Sequence, residues 1–202
     1  MLEKYKHKRI NLHKRYSLMI FEEQHIPEVT AFVAKVYYKQ EHFKFEESLE
    51  DLTYKMCQTD NALTSYTTIF CLMNGDKLCC TSRLIKRECM LPFEEEFDVD
   101  LNFFMDKNKK IYEFARFTSD GNISFRELLF LFDYMLRSVN SRSDLVVASL
   151  DKEVFRKFVR LRYPVYKLGL PLNYLGSLSV PVAIKLSELP LDTVHCKRRH
   201  SQ

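Results

Sequence analysis

The segment Ile111-Tyr112-Glu113-Phe114-Ala115-Arg116-Phe117-Thr118-Ser119 constrains the fold more than any other part of the chain. Ile and aromatic side chains, which suit a pleated surface, dominate it, and Asp120-Gly121 closes it as a turn. Alternation along such a strand predicts Tyr112, Phe114 and Arg116 on one face, with Glu113, Ala115 and Phe117 on the other. A carboxylate and a guanidinium inside a sheet each need a partner or a use, because an unpaired buried charge is costly. Glu113 and Arg116 are therefore the first candidates for a functional site. A structural ion pair or an edge strand is the alternative reading.

The remainder of the chain supports a globular setting for that strand. At 202 residues, with 46% hydrophobic and 13% aromatic content, it suits one domain with a substantial core and excludes disorder. No apolar run approaches the ~20 residues of a membrane helix, and Met1-Leu2-Glu3-Lys4 does not open a signal peptide, so a cytoplasmic protein is expected. The net charge of +4 gathers at the ends, in Lys4, Lys6, Lys8, Arg9, Lys14 and Arg15 and in Lys197, Arg198 and Arg199. Without a recognition motif this reads as solvated tails, residues 1–15 and 187–202, around a core of about 16–186, and no nucleic-acid partner is expected.

Cys57, Cys71, Cys79, Cys80, Cys89 and Cys196 have no zinc-like spacing. The adjacent pair Cys79-Cys80 lies in a strand-like run and points to opposite faces, so the cysteines read as reduced packing residues and no metal site is expected. Residues 120–127 imitate the second half of a calcium loop, but the loop's first ligand positions fall on Arg116 and Thr118. They read better as a turn before a helix, with Ser124 as N-cap and Glu127 completing a capping box.

Periodicity supplies the other elements. A strand is expected at residues 16–21. A helix opens near Pro27, with Val29, Phe32, Val33, Val36 and Tyr37 on one face. Residues 41–60 are acidic, with room for a short helix. A hairpin spans residues 66–86 around Asn74-Gly75, and a polar excursion fills residues 87–110. After the strand at 111–119 come an apolar helix at 124–139, a buried strand at 144–150, a basic helix at 152–161 and two strands within 163–185. The expected class is α/β (α+β): a single domain with a mixed, mostly antiparallel twisted sheet flanked by helices.

Three segments, in order, resemble the acyl-homoserine-lactone (autoinducer) synthases and N-acyl amino acid synthases of the GNAT-like acyltransferases. They are the hairpin 72–84 with Arg83 near its end, Glu113-Phe114-Ala115-Arg116-Phe117-Thr118-Ser119-Asp120 against a Glu-x-x-Arg-Phe-x-x-Asp signature, and residues 158–176 with Tyr163-Pro164 and Leu168-Gly169-Leu170-Pro171. The resemblance covers roughly residues 30–185. It implies an N-acyltransferase that moves an acyl group from a thioester, on acyl carrier protein or CoA, to a small amine. The thioester would be a co-substrate, and no permanently bound cofactor is implied.

Within that resemblance Tyr37 or Tyr38, Phe43 and Asp60 match acceptor-site positions. An expected Arg is replaced by Val33 or Ala34, a second acid by Cys57, and the chain has no Trp. These departures favour an amino acid or related amine over adenosylmethionine as acceptor. The Gly-rich pyrophosphate loop of acetyl-CoA-dependent relatives is also missing, since only Asp120-Gly121-Asn122 stands at its place. That inclines the donor toward acyl carrier protein.

In this chemistry Glu113 is the candidate base, assisted by Arg116. Arg83 and Arg116 are candidates to bind an anionic group or to hold Glu113, and Phe117 and Thr118 mark the backbone donors. Leu128, Leu129, Phe132, Met135, Val146 and Ala148 are candidate acyl-pocket residues, although by composition they equally suit a filled core. Two readings compete: a catalytically silent scaffold of the same fold, and a nucleic-acid or partner-binding module using the basic ends.

Overall fold

The computed structural model describes residues 10–12, 16–39, 47–104, 109–139, 144–174 and 177–189. Nine strands join one sheet: β1 (Ile10–Leu12), β2 (Tyr16–Phe21), β3 (Thr67–Asn74), β4 (Lys77–Lys86), β5 (Ile111–Ser119), β6 (Leu145–Asp151), β7 (Val165–Lys167), β8 (Leu172–Tyr174) and β9 (Ser177–Lys185). Their order is β1-β2-β3-β4-β5-β6-β9-β7, with β8 also paired to β9. Neighbours are antiparallel except β5 and β6, which are parallel. Parallel neighbours need a crossover, and the apolar helix α4 (Phe125–Ser138) supplies it. The segment expected to hold the last two strands contains three, because β8 is a short strand folded back on β9.

Helices cover both faces. On one, α4 and α5 (Lys152–Arg160) enclose the largest core, where Phe114, Leu131, Phe132, Met135, Val146, Ala148 and Phe158 pack together. On the other, α1 (Ile26–Lys39) and α2 (Leu49–Ala62) lie over the β2–β4 half. The short α3 (Pro92–Phe97) lies over the β5, β6 and β9 half. The expectation that Cys79 and Cys80 point to opposite faces is corrected: the β3–β4 register runs Leu72↔Cys80 and then Met73↔Leu78, so Cys79 is the extra residue of a bulge, and both cysteines are buried in the same core as Leu72 and Phe114.

The polar excursion therefore has structure of its own. Phe93, Phe97 and Leu101 are buried there, and the Arg87 side chain grips Glu94 at 2.7 and 2.8 Å. Burial works against the charge on Glu94, but Arg87 and the Leu91 N–H hold its pKa below the ordinary value.

The helix at residues 124–139 begins as expected: Ser124 Oγ accepts from the Glu127 N–H, and the Glu127 side chain accepts from the Ser124 N–H. Asp120 is taken up by a turn, accepting from the Asn122 N–H and from Lys77. Among the described residues no helix is long and apolar enough to cross a membrane.

One irregularity decides where the polar residues go. Between β4 and β5 the register runs Arg83↔Ala115 and then Thr81↔Thr118, so Ser82 faces two residues, Arg116 and Phe117. This is a β-bulge, and Arg116 takes the left-handed backbone it requires, at φ 55°. An extra residue breaks the alternation. Phe117 returns to the Phe114 face, with ring centroids 5.2 Å apart, and Arg116 turns toward the α1 and α2 side. The expectation that Glu113 and Arg116 lie on opposite faces is thus corrected: strict alternation holds only up to Ala115.

Candidate active site

The bulge and the end of the parallel pairing together create an opening. Strands β5 and β6 pair only from Ile111↔Leu145 to Phe114↔Ala148 and then diverge. Beyond that point, residues 115–119 of β5 and Ser149, Leu150 and Asp151 of β6 line a cavity of about 720 Å³. That volume lies within the range typical of small-molecule sites.

Glu113 sits at the base of the opening, 8% exposed. Its Oε2 accepts from the Phe93 N–H at 3.2 Å. Burial raises its pKa from 4.5 to about 7, against the opposing pull of that hydrogen bond and of Arg116, while Glu94 and Glu96 push the same way as burial. A carboxyl poised near neutrality can accept a proton from a reacting amine.

Beside it lies a buried ionic cluster centred on Asp60, the last residue of the α2 stripe Leu52, Met56, Asp60. Asp60 Oδ1 meets Arg83 Nη1 at 2.5 Å and Arg116 Nε at 3.6 Å. Its Oδ2 accepts from Thr30 Oγ1 at 2.7 Å, and Thr30 Oγ1 in turn accepts from Arg83 Nη2 at 3.1 Å.

Two guanidinium groups thus share one carboxylate. Burial lowers the pKa of Arg83 despite Asp60. Burial also opposes the charge on Arg116, but Asp60, Tyr37, Tyr174 and Glu113 outweigh it and raise its pKa. Arg83 Nε and Thr118 Oγ1 are buried with no hydrogen-bond partner among the described residues.

Of the residues singled out from sequence, Glu113, Arg116, Arg83, Phe117, Thr118, Tyr37 and Asp60 line the cavity together. Tyr38 does not; it is 45% exposed on α1. Phe43 lies outside the described residues. Leu128 lines the cavity, but Phe132, Met135, Val146 and Ala148 are packed solid in the core, and Leu129 lies against them. The reason is topological: Val146 and Ala148 belong to the part of β6 still paired with β5, so α4 presses there on a closed sheet. The apolar wall is formed instead by Phe114, Phe117, Phe125, Leu128, Leu150 and Val154.

Sequence reasoning missed Thr30, Tyr174 and the Phe93 N–H. Thr30 carried a signal, as the polar member of the otherwise apolar buried face Ile26, Val29, Val33, Ala34 of α1. Tyr174 carried none, because β8 is three residues long and reaches the site only by folding over β9.

As a sequence, the chain matches no family model and no curated protein. As a structure, it is similar to FeeM, an N-acyl amino acid synthase from uncultured soil microbes, with a TM-score of 0.67 and 18% identity over 86% of this chain and 92% of that one. The likeness is one of fold. The acyl-homoserine-lactone synthase LasI gives a TM-score of 0.60 at 14% identity, covering 86% of this chain and 91% of its own. BjaI, a CoA-dependent acyl-homoserine lactone synthase solved with S-adenosylmethionine and isopentyl-CoA, gives 0.59 at 12%, covering 83% of this chain and 82% of its own. The synthase-like mixed sheet expected from the sequence is the one observed.

Proposed function

We propose that this protein is an N-acyltransferase that moves an acyl group from a thioester, on acyl carrier protein or CoA, to the amine of a small acceptor such as an amino acid. The observation that carries this reading is Glu113, a buried carboxyl with a pKa of about 7 in the opening between β5 and β6. The shared fold with acyl-transferring synthases supports it.

In the proposed reaction the acceptor amine gives up a proton to Glu113, directly or through water, and attacks the thioester carbonyl. A tetrahedral oxyanion forms, and its collapse makes the amide and releases the thiol, which takes up the proton. Past Phe114, β5 has no β6 partner, so its backbone there is free to hold the thioester arm and to donate to the oxyanion. The Asp60–Arg83–Thr30 network fixes the neighbouring wall, and order of this kind holds two reactants in register. The apolar wall around Leu128 suits the acyl chain.

The test is mass spectrometry of lipids from bacteria expressing the protein, together with assays of purified protein supplied with acyl thioesters and an amine panel. New N-acyl products that disappear in Glu113→Gln, with the fold retained, are expected. Turnover unchanged by that substitution would remove the proposal's basis.

A further inference from the structure

The two guanidinium groups of the site are engaged unequally. Asp60 makes its short ion pair with Arg83, and Arg83 is further engaged by Thr30. Arg116 meets Asp60 only at 3.6 Å, and makes no hydrogen bond to any described residue, although its side chain is only 15% exposed. Its surroundings favour the charged form, and its N–H donors, which no described residue takes up, are left to face the cavity, where a planar anion can take them.

Tyr174 stands at the same place. It lines the cavity, its ring is 5.6 Å from that of Phe97, and its hydroxyl has no hydrogen-bond partner among the described residues. Burial lifts its pKa to about 12, so it remains a neutral O–H donor at ordinary pH, and Arg116 is the charged group that acts on it most strongly. Glu113 is coupled to both.

We infer that Arg116 and Tyr174 together form a seat for the carboxylate of the acceptor, with Tyr174 setting the preference for amino acids over simple amines. The inference rests on the acyltransferase reading and makes it narrower. A planar guanidinium, which can only donate, beside a phenol O–H that can also donate, matches a carboxylate, which accepts at both oxygens. The bulge that turns Arg116 to the Glu113 side means that an acceptor seated by its carboxylate offers its amine to the base. Acceptors with a carboxylate a bond or two from the amine fit this arrangement, and a decarboxylated amine leaves the cation unmatched.

The experiment compares each of the twenty amino acids with its decarboxylated amine, using wild type and Tyr174→Phe. Turnover is measured with decanoyl-CoA or decanoyl-carrier protein, and binding by calorimetry without a thioester. In wild type, kcat/KM and affinity should favour the amino acid at least tenfold. Tyr174→Phe should reduce that preference about tenfold, chiefly through KM, with its thermal melt unchanged. Equal use of acid and amine by wild type, an equal loss for both in the variant, or binding of neither would overturn the inference. If wild type binds amino acids selectively yet acylates nothing with either donor, the carboxylate seat stands and the acyltransferase reading fails.

Discussion

Glu113 is held near neutrality by opposed influences, and its titration has two separate consequences. Only the ionised form accepts a proton, so kcat/KM should rise with pH through about 7 and level off above it, which a pH–rate profile will show. Stability runs the other way. A carboxyl whose pKa is 4.5 when unfolded and about 7 when folded binds more protons in the folded state between those values, so stability falls as pH rises through that window. At 1.36 kcal/mol per pH unit, the loss is roughly 3 kcal/mol. Glu113→Gln should abolish this slope relative to wild type in urea titrations at pH 5 and 8, while lowering turnover about a hundredfold or more. Asp60 is the contrasting case. Its carboxylate is the shared partner of two buried cations, so Asp60→Asn should cost about 3–5 kcal/mol in denaturant unfolding, the usual result of leaving a buried charge unpaired. The chemical identity of both residues was legible in the sequence. Alternation put Arg116 on the opposite face and only the family resemblance set it beside Glu113, because the bulge depends on a pairing between strands about thirty residues apart.

At the level of elements, local rules were sufficient where an element's chemistry is local. The Asn74-Gly75 hairpin formed as expected, with Gly75 at φ 60°, and α4 took the cap that Ser124 and Glu127 spell out. Ser124→Ala should therefore cost about 1 kcal/mol, read as a lower urea midpoint with an unchanged slope. The acidic stretch before the hairpin instead formed a helix of fourteen residues, α2, whose Leu52, Met56 and Asp60 recur at intervals of four. Its acids had obscured that stripe. Residues 87–104 were harder still: their few apolar side chains gain burial only from the sheet beneath them, so no repeat within the segment announces α3. The same limit applied to the acyl pocket. Apolar side chains on α4 looked equally fit to line a void or fill a core, and the difference lay in where β5 and β6 part company.

For the whole molecule, the parting of β5 and β6 is the feature around which everything else is arranged. Leu128 is the candidate from α4 that reaches the cavity, so Leu128→Trp should shift any N-acyl products toward shorter chains, measured by mass spectrometry of a mixed thioester pool, while leaving the melting temperature within a few degrees. The opening is a gap in main-chain pairing and owes nothing to missing side-chain volume. Neither strand can close it by acquiring a bulkier residue, because the bulge at Arg116 and the last rung at Phe114 and Ala148 set the angle at which the strands leave each other. The entrance and its furnishing thus rest on different parts of the chain, main-chain pairing for one and side chains for the other. The residues around the rim, Leu128 among them, can change without disturbing the rungs that set the gap. Substitutions at the rim refurnish the doorway without moving it.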